Sequence, residues 1–121
     1  MIELDIFSDT ICPWCYIGKK RLDKAMEKHN HLEFKQTWRP FQLNPSMAPD
    51  GMDRQEYLVS KFGSADAAKT IYDNIYEEGL KEGIDFNFDS IEVTPNSFNS
   101  HRLLALAYEK NIQVKVLDDF H

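Results

Sequence analysis

The 121-residue sequence lacks any apolar run approaching the roughly 20 residues that a membrane-spanning helix needs. Its N-terminus has no basic stretch ahead of a long apolar segment, so no secretory leader is read and a cytoplasmic location is expected. Clusters of Lys and Arg are also missing. With a formal net charge of −6 and a pI near 5.1, the chain is expected to bind neither nucleic acid nor an anionic membrane. Only two cysteines are present, and in the cytosol a lone pair is more often catalytic, redox-sensing or metal-binding than structural. The four histidines, His29, His31, His101 and His121, show none of the paired spacing that would complete a zinc site, so no metal is expected. Internal repeats and low-complexity tracts are absent, which argues against a solenoid. Apolar residues make up 42% of the chain, enough for one globular core.

The two cysteines that are present stand two residues apart, as Cys12-Pro13-Trp14-Cys15. They follow an apolar run, Ile2 to Phe7, and precede a helical pattern, Ile17 to Lys28. A C-x-x-C at a strand-to-helix junction is the local signature of a thioredoxin-like redox site. The helix N-terminus offers unpaired N–H groups and a positive dipole end, which stabilise a thiolate. A cysteine so placed can ionise at roughly pH 3.5–7.5 instead of about 8.5. Tyr16 stands where a haem-attachment motif would need histidine.

Along the chain, Ile2, Leu4 and Ile6 alternate with Glu3 and Asp5 and predict a strand over residues 2–8. Pro13 suits a first helical position, and Ile17, Leu22, Ala25 and Met26 give an apolar stripe on a helix ending near Asn30. Gly18 inside it suggests close approach of another backbone, or a bend. Leu32 to Arg39 reads as a second strand that Pro40 ends. If parallel, these elements form a βαβ unit with the cysteines at the carboxyl end of its first strand, where open α/β sheets carry their sites. Asn44 to Asp53 reads as a linker. Helices are expected over 54–62, from Ser64 through Ala68, Ile71, Tyr72, Ile75 and Gly79, over Phe98 to about Glu109, and over Gln113 to His121. Residues 83–96 read as a loop. Tyr72, Tyr76, Phe86 and Phe88 are expected in a core rather than a groove, and Glu77-Glu78 and Asp118-Asp119 on solvated faces. A two-stranded sheet is marginal alone. The expectation is therefore a part of a longer protein, or a sheet completed by another chain; a small α+β domain is the alternative.

Ser8-Asp9, then Cys12 to Gly18, then Trp38-Arg39-Pro40-Phe41-Gln42-Leu43-Asn44-Pro45, then Thr94-Pro95-Asn96-Ser97 with His101-Arg102-Leu103 resemble the DsbA-like thioredoxin family. The similarity is to its FrnE-type branch, which shares a fold with 2-hydroxychromene-2-carboxylate isomerases and kappa-class glutathione transferases. The resemblance implies an α/β, thioredoxin-like fold with a helical insertion. Residues 1–45 would be the N-terminal βαβ part and 46–121 the insertion, with the C-terminal strands, helix and cis-proline of such folds not represented. It implies a thiol–disulfide oxidoreductase acting on thiol- or disulfide-containing proteins or small molecules.

In this reading Cys12 attacks, as the more exposed sulfur, and Cys15, more buried, resolves. Pro13 and Trp14 tune the pair, and Trp14 either stacks on substrate or covers the disulfide. Asp9 is a proton relay or, more simply, a turn or capping aspartate. Asn96, His101 and Arg102 bind substrate or, more simply, cap and pack; Arg102 could hold a carboxylate. No bound metal or organic cofactor is expected, with glutathione the candidate co-substrate. Two other functions compete. One is a glutathione-dependent isomerase or transferase on the same fold, whose members typically carry serine in place of Cys12. The other is an inactive or partner-completed fragment forming a swapped homodimer.

Overall fold

The alternating Ile2, Leu4 and Ile6 form β1 (Ile2–Ser8) in the computed structural model, which describes residues 1–120. β1 pairs in parallel with β2 (Phe34–Pro40), in register from Ile2 opposite Phe34 to Ser8 opposite Pro40. Between them runs α1 (Pro13–Lys28), so the expected βαβ unit is present. Pro13 sits in the first turn, where the N–H it lacks would have no helical partner. The stripe on α1 is narrower than its pattern predicts: Ile17 is fully buried, Leu22 and Met26 half-buried, and Ala25 exposed. Gly18 has open space where a Cβ would point, so no backbone approaches it closely.

The chain then builds β3 (Met52–Asp53), α2 (Arg54–Phe62), α3 (Ala65–Lys81), a 3₁₀ turn (Phe88–Ser90), β4 (Val93–Thr94), α4 (Phe98–Glu109) and α5 (Gln113–Phe120). The expected helix 113–121 is α5, with His121 outside the described residues. β3 and β4 fall in stretches the sequence reads as linker and loop; they pair antiparallel, Met52 opposite Thr94. Two-residue strands have no alternation to detect.

The residues divide into two compact units, Met1–Leu43 with Ser97–His121, and Asn44–Asn96. This differs from the expected division at residue 45: α4 and α5 group with the βαβ unit. Trp38, Leu104 and Leu117 make the core there, with Ile6 and Val116 against them. Buried Gln113 fastens it. Its Oε1 accepts from the Trp38 N–H at 2.9 Å, and its Nε2 donates to the Trp38 and Leu104 carbonyls at 3.1 and 2.9 Å. Asp118 is solvent-facing yet not simply solvated: it meets buried Lys19 of α1 at 2.7 Å, with Asp23 at 3.1 Å. Burial disfavours charge on Lys19, but these carboxylates outweigh it and hold the ammonium above its ordinary range.

In the other unit Asp53 caps α2 through the Gln55 and Glu56 N–H groups, Gly63 ends it left-handed, and Ser64 caps α3. Ala68, Ile75 and Gly79 face inward as expected, whereas Ile71 is exposed. Phe86 and Phe88 stack at 4.9 Å between centroids, and Tyr72 meets Phe88 edge-on at 4.8 Å. These aromatics, with half-buried Tyr76 and buried Arg54, also line a cavity of about 560 Å³. Among the described residues no helix is long and apolar enough to cross a membrane.

Candidate redox site

The site is assembled at the carboxyl end of β1. Ser8 ends the strand, and a short turn follows in which the Cys12 N–H donates to the Asp9 carbonyl at 3.3 Å. Cys12 is the N-cap of α1, extended at φ −90° and ψ 116°, and its carbonyl accepts from the Cys15 and Tyr16 N–H groups at 3.1 and 3.3 Å. The cap side chain makes no hydrogen bond of the ordinary capping kind. The Trp14 and Cys15 N–H groups of the first turn nevertheless favour the charged form of its sulfur. Pro13 leaves the first-turn geometry fixed and removes a competing donor.

Both cysteines are free thiols, close enough in the fold for each to shift the ionisation of the other. They are about equally half-buried, so the expected contrast of an exposed Cys12 and a buried Cys15 is not found. Coupling between two thiols makes the first ionisation of the pair easy and the second hard. Interaction with the Cys12 side chain is the main reason that Cys15 falls from 9.0 to about 6, helped by the Ser8 hydroxyl and the Asp9 N–H and opposed by burial and the Asp9 charge. The same interaction, with burial and the neighbouring charge, pushes Cys12 far upward; the Trp14 and Cys15 N–H groups pull the other way.

Two of the remaining candidates meet each other. Asp9 is not a solvated turn residue: its side chain is fully buried. Its Oδ2 accepts the Leu43 N–H at 2.8 Å, and its Oδ1 lies 3.2 Å from Nε2 of His101, itself buried in α4. Thr10 of the same turn meets Ser100 of α4 at 2.6 Å, a second tie between loop and helix. Trp14 is 43% exposed and lies on the solvent side of the motif. Arg102 is not brought to the sulfurs. Asn96 belongs to the other unit, where its Nδ2 donates to the Met47 carbonyl at 2.8 Å; Ser97 takes the cap position of α4, without a side-chain cap. Arg102 is on the exposed side of α4 and donates to Asn99 at 3.3 Å.

Sequence reasoning missed Ser8, whose hydroxyl helps to lower the Cys15 thiol, and Leu43 as a donor to Asp9. Ser8 stands inside the Ser8-Asp9 motif, four residues before Cys12, so its place in the sequence was a usable signal. A backbone N–H leaves no mark in a sequence.

No curated protein is significantly similar to this chain. Among solved structures, a probable DsbA oxidoreductase from Streptomyces coelicolor is similar at 31% identity and a TM-score of 0.84. The match covers 99% of this chain and 52% of that one, so the chain spans about half the length of that relative. A family profile described as DSBA-like thioredoxin domain matches residues 3–121, through the βαβ unit, the helical stretch and α4 and α5 alike. By that match the chain belongs to the DsbA-like thioredoxin domain family.

Proposed function

We propose that this chain carries the dithiol centre of a thiol–disulfide oxidoreductase, with Cys12 attacking and Cys15 resolving. The observation that carries it is the pair of free thiols at the α1 N-terminus, Cys12 at the cap and Cys15 in the first turn, where their interaction draws the Cys15 thiol down to about 6. Such a pair supplies a thiolate at neutral pH without a metal or organic cofactor. The similarity to a probable DsbA oxidoreductase supports the same reading.

Moving a proton from Cys12 to Cys15 places the charge on Cys12, at the cap, where two N–H groups favour it. The Cys12 thiolate attacks one sulfur of a substrate disulfide. A mixed disulfide forms, the substrate S–S bond breaks, and the released substrate thiolate takes a proton. Cys15, giving up its proton, then attacks the Cys12 sulfur. The Cys12–Cys15 disulfide forms and the second substrate thiol leaves, so two electrons have passed to the substrate. The reverse sequence oxidises a substrate dithiol. Substrates are thiol- or disulfide-bearing proteins or small thiols such as glutathione, and Trp14 offers an exposed aromatic surface beside the sulfurs.

Insulin reduction or glutathione–disulfide exchange by the full chain tests this. Cys12→Ser is expected to lose exchange by at least about a hundredfold, the scale of losing a covalent nucleophile. Cys15→Ser is expected to accumulate a mixed disulfide through Cys12, visible by mass spectrometry. Undiminished exchange in Cys12→Ser would refute the assignment.

A further inference from the structure

We propose that His101 is a positioning residue of the cysteine pair: it holds the Asp9 carboxylate and offsets the negative charge through which Asp9 acts on Cys15. The inference rests on the exchange function proposed above and adds to it a residue 92 positions away in sequence from Asp9. Its basis is geometric. Asp9 is fully buried and has both oxygens occupied, one by the Leu43 N–H at 2.8 Å and one by His101 Nε2 at 3.2 Å. A carboxylate only accepts, so Nε2 is the donor in this pair whenever Asp9 is ionised. A buried carboxylate is tolerated only when such donors are present.

The same residue acts on the Cys15 thiol. The Asp9 N–H supports a thiolate on Cys15, while the Asp9 charge opposes it. Around this point stand the two thiols of α1, the Ser8 hydroxyl at the end of β1, the Asp9 carboxylate of the turn, the Leu43 N–H after β2 and the His101 ring of α4. His101 touches neither sulfur in this set; its leverage on the pair runs through Asp9. The Thr10–Ser100 bond at 2.6 Å fixes α4 to the turn beside it, so the ring and the carboxylate keep their spacing.

The chain of influence predicts opposite signs for its two members. Asp9→Asn keeps an acceptor for the Leu43 N–H but removes the opposing charge, so the thiol pair should ionise more readily. His101→Phe leaves the charge and removes its donor, so ionisation should become harder. Asp9→Asn with His101→Phe should track Asp9→Asn alone, because without the charge the histidine has nothing to offset. His101→Gln keeps an N–H donor and should restore wild-type behaviour.

The test is the pH dependence of alkylation by iodoacetamide on the reduced full chain, with thiolate absorbance as a second readout. Shifts of about half a pH unit are expected, about a threefold change in thiolate population on the acid side. His101→Ala makes the same prediction as His101→Phe should the larger ring prevent folding. A shift of the same sign in both single variants, an undiminished His101→Phe effect in the Asp9→Asn background, or no rescue by Gln would overturn the proposal. A histidine that only packs would lower the unfolding midpoint and leave the alkylation profile where it was. The readout needs no turnover: inactive wild type with the predicted sign pattern would refute the exchange function alone, and active wild type without it would refute only the role of His101.

Discussion

Cys12 and Cys15 act on each other's ionisation in opposite directions, and that decides how the pair responds to pH. With the Cys12 side chain as main cause, the folded pKa of Cys15 lies near 6 against 9.0 for a free thiol. In that window the unfolded chain binds more protons than the folded one, so the reduced fold gains stability as pH rises from about 6 to 9 and loses it as pH falls through 6. The upward push on Cys12 acts above that window and takes the gain back in alkali. Alkylation of the reduced chain is therefore expected to rise with a midpoint near pH 6. A single midpoint near 9 in a folded sample would show that the two thiols do not interact. At this scale the cysteines were legible, because two sulfurs and a helix start lie within a few residues. The Asp9–His101 contact was not, since nothing local pairs a turn aspartate with a helix 92 residues on.

Elements differ in how much of their shape the sequence carries. Helices α1 to α5 were visible because each repeats an apolar face or carries a cap, as Ser64 does. The pairing of β3 with β4 was invisible, because what makes it is one tight approach: Gly51, at φ 84°, would place a Cβ 2.5 Å from the Thr94 carbonyl oxygen. Gly18 carries no such contact, although the sequence suggested one. These two glycines should therefore respond oppositely to alanine. Gly51→Ala combines a disfavoured backbone with a clash against a carbonyl that cannot rotate away, and is expected to destabilise by about 2 kcal/mol or more. Gly18→Ala adds helix propensity on an exposed face and is expected to stabilise by up to about 1 kcal/mol. Thermal or urea unfolding of both variants checks the pair. Destabilisation by Gly18→Ala would reveal a contact at that position after all.

At the scale of the molecule the surprise is the return of the chain. Apolar periodicity shows that α4 and α5 bury one face, but not against which element, so residues 97–121 read as part of the insertion when they belong with the βαβ unit. That return also brings His101 to Asp9, so the incomplete reading of the fold and of the site have one cause. The tie that makes it visible is Gln113. Its carboxamide meets the N–H and C=O of Trp38 in β2 and the carbonyl of Leu104 in α4, all buried. A leucine in its place fills similar volume but strands these backbone groups away from water, each at about 1–3 kcal/mol. Gln113→Leu is therefore expected to destabilise the unit by about 3 kcal/mol, allowing for partial relaxation. Urea unfolding followed by tryptophan fluorescence reads this directly, because Trp38 is 6% exposed and Trp14 already 43% exposed, so the change on unfolding comes chiefly from Trp38. A midpoint unchanged from wild type would mean that the apolar contacts among Trp38, Leu104 and Leu117 hold α4 and α5 in place without the clamp.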